Sequence, residues 1–374
     1  MIYLDNAATT YPKPECVYEA LDRANRTLAF NSGRGSYKEA KAVSAMIDET
    51  RKQIADIAGS SSEQVFFESS ATEALNIIIN GLDLKKGDAI YISPFEHNAV
   101  VRPLYHLKKT KEIEIIELPF DKKTWTIDLD KMKDMFVINK PKACFLTQIS
   151  NVTGFVLPLG IIFAQTRQYN CVNVADCSQG FGVLPSKYRY TDFIVFAGHK
   201  SLYASFGVAG FINLTGTHLS ISKSGGTGSD SLNTEMPNDG HSRFESGSIN
   251  SVAIAGLHSS LNWLKESDVF IHENKMTDYL LKKLKQMNNI KIFLPAEGTV
   301  FGIVSIVIDG YDSNEIGTIL SEDYDISVRT GYHCAPFVHD FIGSKDYGGT
   351  VRISIGAFTT ADDIDCLIDA LKTF

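Results

Sequence analysis

Short apolar segments alternate with helical patterns over much of the chain, and this alternation limits the possible folds more than any other feature. The segments that are apolar over most of their length are 65–67, 88–93, 143–150, 171–176 and 193–198. Continuous apolar strands are typical of a sheet covered by helices on both faces, because nearly every side chain is then buried. The pattern therefore predicts an α/β fold with a mostly parallel central sheet flanked by helices.

The pattern changes after about residue 258. Helical segments there precede two apolar runs, "FGIVSIVID" (301–309) and "TVRISIGAF" (350–358), which is typical of a smaller α+β domain. A chain of 374 residues is long enough for two domains. We expect a large domain over residues 16–257 and a small domain formed by residues 1–15 and 258–374.

The charge balance excludes some partners. The formal net charge is −8, and binding to nucleic acid needs a basic surface, so we expect no nucleic-acid partner. No apolar run approaches the ~18 residues of a membrane span. The start, "MIYLDNAATT", lacks the basic and then apolar pattern of a signal peptide. These observations predict a cytoplasmic protein without a membrane partner.

The six cysteines do not form a metal motif. No pair has C-x-x-C spacing, so no metal site is expected, and a reducing cytosol disfavours disulfides. Apolar surroundings predict core or core-edge positions for Cys16, Cys144, Cys171 and Cys366. Cys334 lies in "VRTGYHCAP" (328–336), a predicted loop. By itself this stretch leaves a nucleophile, a metal ligand, half of a disulfide and a small apolar residue all open.

Polar side chains follow most of the predicted strands. "ESSATEAL", "PFEHNAV", "SNVTG" and "GHKS" come at or directly after four of them, and the strand over 171–176 ends on Asp176, with Gln179 close behind. Ligands of open α/β sheets bind beyond the carboxyl ends of the strands. The sequence therefore predicts a polar ligand site at that edge.

The candidate cofactor is one with an aldehyde and a phosphate. The chain has no G-x-G-x-x-G or G-x-x-x-x-G-K-[ST] motif. Small residues and Thr72 at a helix start suit one phosphate, although an ordinary capped helix has the same pattern. Lys200 follows a strand, where it could form a Schiff base, and Asp176 ends the strand before it. Pyridoxal phosphate (PLP) needs such a lysine, an acid at its pyridine nitrogen and an anion site.

A set of motifs spread over nearly the whole chain resembles one family. They occur in the order "YLDNAATT", "SSATEALN", "EHNAVV", "SNVTG", "ADCSQ", "FAGHKSL" and "RTGYHCAP". The sequence resembles the class V aminotransferase-like, fold-type-I PLP-dependent transferases, and among them the cysteine desulfurases. Cys334 lies 18 residues before Arg352, a short loop that is more similar to the second desulfurase group.

The resemblance implies a role for each matching residue. It implies Lys200 as the Schiff-base lysine, His97 as the imidazole over the cofactor ring that also transfers protons, and Cys334 as the sulfur-accepting nucleophile on a mobile arm, with Gly331 giving that arm its freedom. The implied cofactor-binding residues are Lys200, His97, Asp176, Gln179, Asn151, Ala71, Thr72, His199 and Ser248, the last supplied by the neighbouring subunit of a homodimer.

Three arginines are the expected substrate-binding residues. Arg352 in "TVRISIG" matches the arginine that holds the substrate carboxylate, a role that suits a planar guanidinium. Arg329 and Arg34 match less specifically, and a structural salt bridge or a surface position is an equal alternative. Two positions depart from the family pattern: Ala197 replaces a common serine, which removes a phosphate hydroxyl, and Tyr37 replaces a common histidine.

The resemblance implies that L-cysteine is converted to L-alanine while its sulfur remains as a persulfide on Cys334, for transfer to a sulfur-acceptor protein. Iron–sulfur cluster assembly is one use of such sulfur. The alternatives are a related aminotransferase, or a selenocysteine or cysteine-sulfinate lyase that does not rely on Cys334. A cofactor-binding scaffold without activity is a further alternative, against which the intact set of Lys200, Asp176, His97 and Cys334 argues.

Overall fold

The helices and strands follow one another along most of the chain. The computed structural model of the protein describes residues 1–32, 35–228 and 232–374. In these ranges the helices are α1 (Glu15–Thr27), α2 (Lys38–Ala58), α3 (Ala71–Gly81), α4 (Asn98–Lys111), α5 (Leu129–Ile138), α6 (Leu159–Thr166), α7 (Ser251–Glu266), α8 (Val269–Leu284), α9 (Ser313–Tyr324), α10 (Val338–Ile342) and α11 (Ala361–Leu371). The strands are β1 (Ile2–Tyr3), β2 (Val65–Glu68), β3 (Ala89–Ile92), β4 (Glu114–Glu117), β5 (Pro141–Thr147), β6 (Val172–Asp176), β7 (Phe193–Ala197), β8 (Ala209–Asn213), β9 (Ile290–Ile292), β10 (Ile303–Ile308), β11 (Ile326–Ser327), β12 (Arg329–Gly331) and β13 (Thr350–Ser354).

The central sheet has seven strands in the order β2-β8-β7-β6-β5-β3-β4. Its strands are parallel except for β8, which runs antiparallel to both of its neighbours. Along β5, Ala143 and Phe145 pack with α3 and α4 on one face, while Cys144 and Leu146 pack with helices on the other. Burial on both faces explains why these strands are continuously apolar. The predicted α/β fold is confirmed.

A smaller antiparallel sheet follows, in the order β12-β13-β10-β9. Its core includes apolar residues of α8, α9 and α11, together with Leu4 from the start of the chain. The strand β1 pairs with β11, and the backbone N–H of Ser354 donates to the carbonyl of Leu4 at 2.7 Å. The predicted domain boundary at residues 257 and 258 falls inside α7, and the division into two domains stays a prediction.

The cysteines differ in exposure. Cys144, Cys171 and Cys177 are buried, Cys16 is partly buried, and Cys334 and Cys366 are exposed. The predicted core position of Cys366 was wrong. Helix α11 buries Ile364 and Ile368, and a residue two positions after Ile364 points to the opposite side of a helix with 3.6 residues per turn.

A buried ion pair ties α2 to the segment that precedes α7. Arg51 donates to both carboxylate oxygens of Glu245, at 2.6 and 2.5 Å. The backbone N–H of Phe67 donates to the same carboxylate at 2.6 Å, and the guanidinium stacks over the Phe67 ring. Arg51 is only 4% exposed, so removing it would leave an unpaired carboxylate in the interior.

We expect Arg51→Met to lower the free energy of unfolding by about 3–5 kcal/mol, because it leaves Glu245 buried without its cation. Urea unfolding followed by circular dichroism measures the change. The control is Arg26→Met, which breaks an exposed pair with Asp22 on α1 and is expected to change stability by under about 0.5 kcal/mol. Equal effects of the two variants would contradict the structural role of the Arg51 pair.

Candidate active site

A cavity of about 190 Å³ lies at the carboxyl ends of the central strands. It contains every predicted cofactor-binding residue except Ser248. Its lining residues are Ser70, Ala71, Thr72, His97, Ala99, Thr147, Asn151, Asp176, Ser178, Gln179, Ala197, His199 and Lys200. Residues from five strand ends therefore meet at one site, as the sequence predicts.

Asp176 is the last residue of β6, and Lys200 lies in the turn after the adjacent parallel strand β7. The Asp176 carboxylate accepts hydrogen bonds at Oδ1 from the backbone N–H and the hydroxyl of Ser178, at 3.0 and 2.5 Å. Its other oxygen, Oδ2, has no hydrogen-bond partner among the described residues. Lys200 follows β7, where the backbone N–H of Tyr203 donates to its carbonyl at 2.9 Å. One carboxylate oxygen is thus fixed and the other is left for a ligand.

Burial lowers the pKa of Lys200 below its ordinary value of 10.5. The negative charge of Asp176 opposes this shift, while the positive charges of Arg352 and Arg329 add to it. A lowered pKa increases the fraction of neutral amine at a given pH, and only the neutral amine is a nucleophile or a base.

His97 is the N-cap residue of α4. Its Nδ1 accepts the backbone N–H of Ala99 at 3.0 Å, so the proton of the neutral ring lies on Nε2. Burial, and next the positive charge of Lys200, lower the pKa of His97 to about 4. The ring is therefore neutral near pH 7 and offers one N–H donor.

The start of α3 and the His199 segment form an anion-binding site. The backbone N–H groups of Ala71 and Thr72 have no acceptor in the described ranges, as is usual in the first turn of a helix. The His199 ring stacks on Phe206 with its centroid 4.4 Å away, and its buried Nδ1 has no partner there either. Two unpaired N–H donors and a ring nitrogen that donates when it carries the proton suit one phosphate, and Ala197 beside them adds no hydroxyl.

No sequence motif indicates Lys13 as a site residue. Its Nζ donates to the Thr10 hydroxyl at 2.6 Å and to the His199 carbonyl at 2.9 Å. Burial lowers the pKa of Lys13 to about 7. Since "YPKP" is typical of an exposed turn, only the fold shows that this lysine lies beside the predicted phosphate site.

Arg352 is 2% exposed and is held by two other segments. Its Nη2 donates to Asp5 at 2.6 Å and its Nη1 to the Asn151 carbonyl at 2.9 Å, while its buried Nε has no partner among the described residues. Arg329 lies directly opposite Arg352 in the β12–β13 ladder and is exposed. None of the ion pairs in the described ranges includes Arg329, so it does not form the structural salt bridge that was an alternative for it.

The loop with Cys334 is hydrogen-bonded to the cavity residues. Asn151 donates from its amide to the His333 carbonyl at 2.7 Å, and the backbone N–H of Asn98 donates to the Cys334 carbonyl at 2.7 Å. The His333 ring is buried and bonds through Nε2 to Thr350. Gly331, expected to loosen the loop, instead lies in β12 and has a φ of 92°. The loop therefore reaches the site, and His333 is engaged elsewhere.

Two positions from the sequence analysis, Ser248 and Tyr37, lie apart from this cavity. Ser248 is exposed and lines two other surface cavities, of about 410 and 390 Å³. Arg34 lies outside the described residues. Tyr37 is exposed at the start of α2.

Comparison with known proteins agrees with this geometry. A model of the family "Aminotransferase class-V" matches residues 2–367. The chain belongs to the class-V aminotransferase family. Among the family's curated members, a probable cysteine desulfurase of Methanothermobacter thermautotrophicus is 27% identical, covering 99% of this chain and 94% of that protein. A cysteine desulfurase of Pectobacterium carotovorum is 28% identical, covering 100% of this chain and 92% of that protein.

A solved structure shows the same fold. The apo cysteine desulfurase of Thermococcus onnurineus superposes with a TM-score of 0.91 at 23% identity, covering 100% of this chain and 94% of that one. In the described parts of this chain, no helix is long and apolar enough to cross a membrane.

We expect the Lys200 amine to titrate with a midpoint below 10.5, because burial and the neighbouring arginines disfavour its charged form. Arg329→Gln removes one of those positive charges, so it moves the midpoint upward. Competitive labelling with trace acetic anhydride across pH, read by mass spectrometry on the peptide with Lys200, measures both midpoints in the cofactor-free protein, where the amine is not engaged in a Schiff base. Arg26→Gln on the exposed face of α1 is the control and leaves the midpoint unchanged. A midpoint at or above 10.5 would rule out this electrostatic picture.

Proposed function

We propose that the protein is a PLP-dependent cysteine desulfurase that converts L-cysteine to L-alanine and retains the sulfur as a persulfide on Cys334. The observation that supports this most directly is a pair of hydrogen bonds to the Cys334 loop. The Asn151 side-chain amide donates to the His333 carbonyl, and the Asn98 backbone N–H donates to the Cys334 carbonyl. They hold a cysteine-bearing loop against the cavity that contains Lys200 and Asp176. A class-V aminotransferase that does not use a cysteine has no need of this arrangement.

The cavity fits PLP on its own chemistry. Lys200 would supply the amine, and Oδ2 of Asp176 would accept from a protonated pyridine nitrogen. The free N–H groups of Ala71 and Thr72, with the unpaired His199 Nδ1, would hold the phosphate. The amides of Asn151 and Gln179 also line the cavity, although each donates one hydrogen bond to backbone elsewhere. When bound, PLP supplies an electron sink for the bonds at the substrate Cα.

The side chains of the chain supply the remaining steps. Arg352 holds the substrate carboxylate with the N–H groups that Asp5 and Asn151 do not use. Lys200, as a neutral amine, removes the Cα proton, and neutral His97 exchanges a proton through Nε2. The Cys334 thiolate attacks the substrate sulfur. An S–S bond forms and the Cβ–S bond breaks, so L-cysteine and the Cys334 thiol yield L-alanine and the persulfide.

The exposed position of Cys334 supports transfer of that sulfur to an acceptor protein. Ser248 supports a homodimer, because it matches a phosphate contact from the neighbouring subunit and is exposed at a distinct surface cavity of its own chain. Iron–sulfur cluster assembly as the use of the sulfur, and the cytoplasmic location, stay predictions from the sequence.

Incubation with L-cysteine is expected to add one sulfur to the tryptic peptide that contains Cys334, detected by mass spectrometry. In Cys334→Ser the nucleophile is lost, so alanine release from L-cysteine falls by at least about 100-fold. Cys366→Ser, which removes the other exposed cysteine, is the control and keeps both signals. If Cys334→Ser releases alanine at the wild-type rate, the persulfide mechanism is wrong and a lyase that does not rely on Cys334 replaces it.

Mixed dimers test the contribution of Ser248. We expect Lys200→Ala and Ser248→Asp to be inactive separately, the second because a carboxylate repels the phosphate. A mixed dimer pairs one Lys200→Ala chain with one Ser248→Asp chain. If Ser248 acts across the dimer, one site of this mixed dimer has neither change, so activity and bound PLP, seen as visible absorbance, are regained. If Ser248 acts within its own chain, each site of the mixed dimer carries a change and nothing is regained. Sedimentation of the wild type as a monomer would also contradict the proposal.

A further inference from the structure

One face of α4 extends from the Cys334 loop along the protein surface. The helix starts at Asn98, whose N–H holds the Cys334 carbonyl. With 3.6 residues per turn, residues four, seven and eleven positions further lie on the same side of the helix as Asn98. These are Arg102, Tyr105 and Lys109, and all three are exposed. Together with exposed Lys108 beside them we call them the basic face.

The basic face carries unneutralised positive charge. Helix α4 contains no acidic residue, and Glu112 directly after it pairs with Lys86 at 2.7 Å. No ion pair in the described ranges includes Arg102, Lys108 or Lys109. The helix dipole stabilises lysines in the last turn of a helix, but Arg102 lies near the start, where the dipole disfavours a cation. The positive charge of the basic face is also opposite in sign to the net charge of the whole chain, which is −8.

The basic face is continuous with the Cys334 loop. Tyr105 packs against Phe337, three residues after Cys334, with ring centroids 6.0 Å apart. Tyr332, two residues before Cys334, is 51% exposed. Helix α4 has 14 residues and is therefore about 20 Å long. A partner bound along it would have its own reactive group next to Cys334.

We propose that the basic face binds an acidic segment of the protein that accepts sulfur from Cys334. This inference rests on the proposed desulfurase function and adds the chemistry of the partner. In the transfer step the acceptor thiolate attacks the outer sulfur of the persulfide. A new S–S bond forms on the acceptor, the original S–S bond breaks, and Cys334 leaves as a thiolate, so no external oxidant or reductant is needed.

A protein segment fits this face better than RNA. RNA binding relies on many phosphate contacts over a broad basic surface, whereas this chain is acidic and the face spans one helix. Tyr105 is the one aromatic residue of the basic face, whereas single-stranded RNA is recognised by stacking of several bases on aromatic side chains. Opposite charges on two proteins instead accelerate their association, and the acceleration decreases as the ionic strength rises.

Three synthetic peptides test the proposal. Each contains one cysteine, flanked by glutamates, by serines or by lysines, and each rate is divided by that peptide's rate with a small neutral disulfide to remove differences in thiol reactivity. The measured quantity is the second-order rate of sulfur transfer from the Cys334 persulfide, followed by mass spectrometry. At low salt we expect the glutamate peptide to react about tenfold faster than the serine peptide, and the lysine peptide to react more slowly. The advantage shrinks as salt is added.

Charge-reversal variants show which surface causes the rate advantage of the glutamate peptide. Lys108→Glu with Lys109→Glu is expected to abolish the advantage of the glutamate peptide. The control, Lys282→Glu with Lys285→Glu, makes the same change in net charge at exposed positions at the end of α8 and keeps the advantage. Equal rates for the three peptides, or equal losses in the two double variants, overturn the proposal.

Persulfide loading by L-cysteine is measured first in every variant. If the wild type does not load, the proposed desulfurase function fails. If all variants load equally but the glutamate peptide has no advantage, only the docking proposal fails. A single-stranded RNA oligonucleotide is added as a competitor. If RNA binds with the same dependence on Lys108 and Lys109 while the glutamate peptide shows no preference, the face is a nucleic-acid surface and the proposal is overturned.

Discussion

The site depends on the hydrogen bonds and the ion pair that the buried guanidinium of Arg352 makes. A charge removed from water must be paired, and Arg352 finds its partners in two segments that are far from it in sequence. Asp5 neutralises it and the Asn151 carbonyl accepts from it, while the Asn151 amide holds the Cys334 loop. One charge thereby fixes the start of the chain, the loop after β5 and strand β13 relative to one another. The proposed substrate-binding residue and the support of the loop with the proposed nucleophile are parts of the same network.

The same charge also affects the pKa of Lys200. Burial is the main cause that lowers this pKa, Asp176 opposes the shift, and Arg352 and Arg329 add to it. The lowered pKa increases the fraction of neutral amine, the form that a Schiff-base residue and a base both require. His97 is neutral for a related reason, since burial and the nearby Lys200 both disfavour its proton. The arginines proposed to bind the substrate carboxylate therefore also contribute to lowering the pKa of a proposed base.

The sequence predicts where the central strands end, but it does not predict the contacts between segments that are distant along the chain. Apolar runs locate the central strands because burial on both faces leaves a continuous pattern. Strand β4 has no such pattern, because two of its four residues are exposed glutamates at the sheet edge. Asp176 and Lys200 are predictable because the carboxyl ends of parallel strands converge. The roles of Asp5 and Lys13 are not predictable, because their partners, Arg352 and the His199 carbonyl, lie more than 180 residues away in the sequence.

The Cys334 loop combines a fixed backbone with a free thiol. Both His333 and Cys334 have positive φ angles, 47° and 57°, a region that costs residues other than glycine on the order of 1 kcal/mol each. The hydrogen bonds from Asn151 and Asn98 to the carbonyls of these residues offset that cost. Burial of the His333 ring against Thr350 anchors the loop further and removes this histidine as a base for the thiol. Because the anchors use only backbone carbonyls and the neighbouring side chain, the Cys334 thiol remains exposed, as the proposed transfer of sulfur to an acceptor requires.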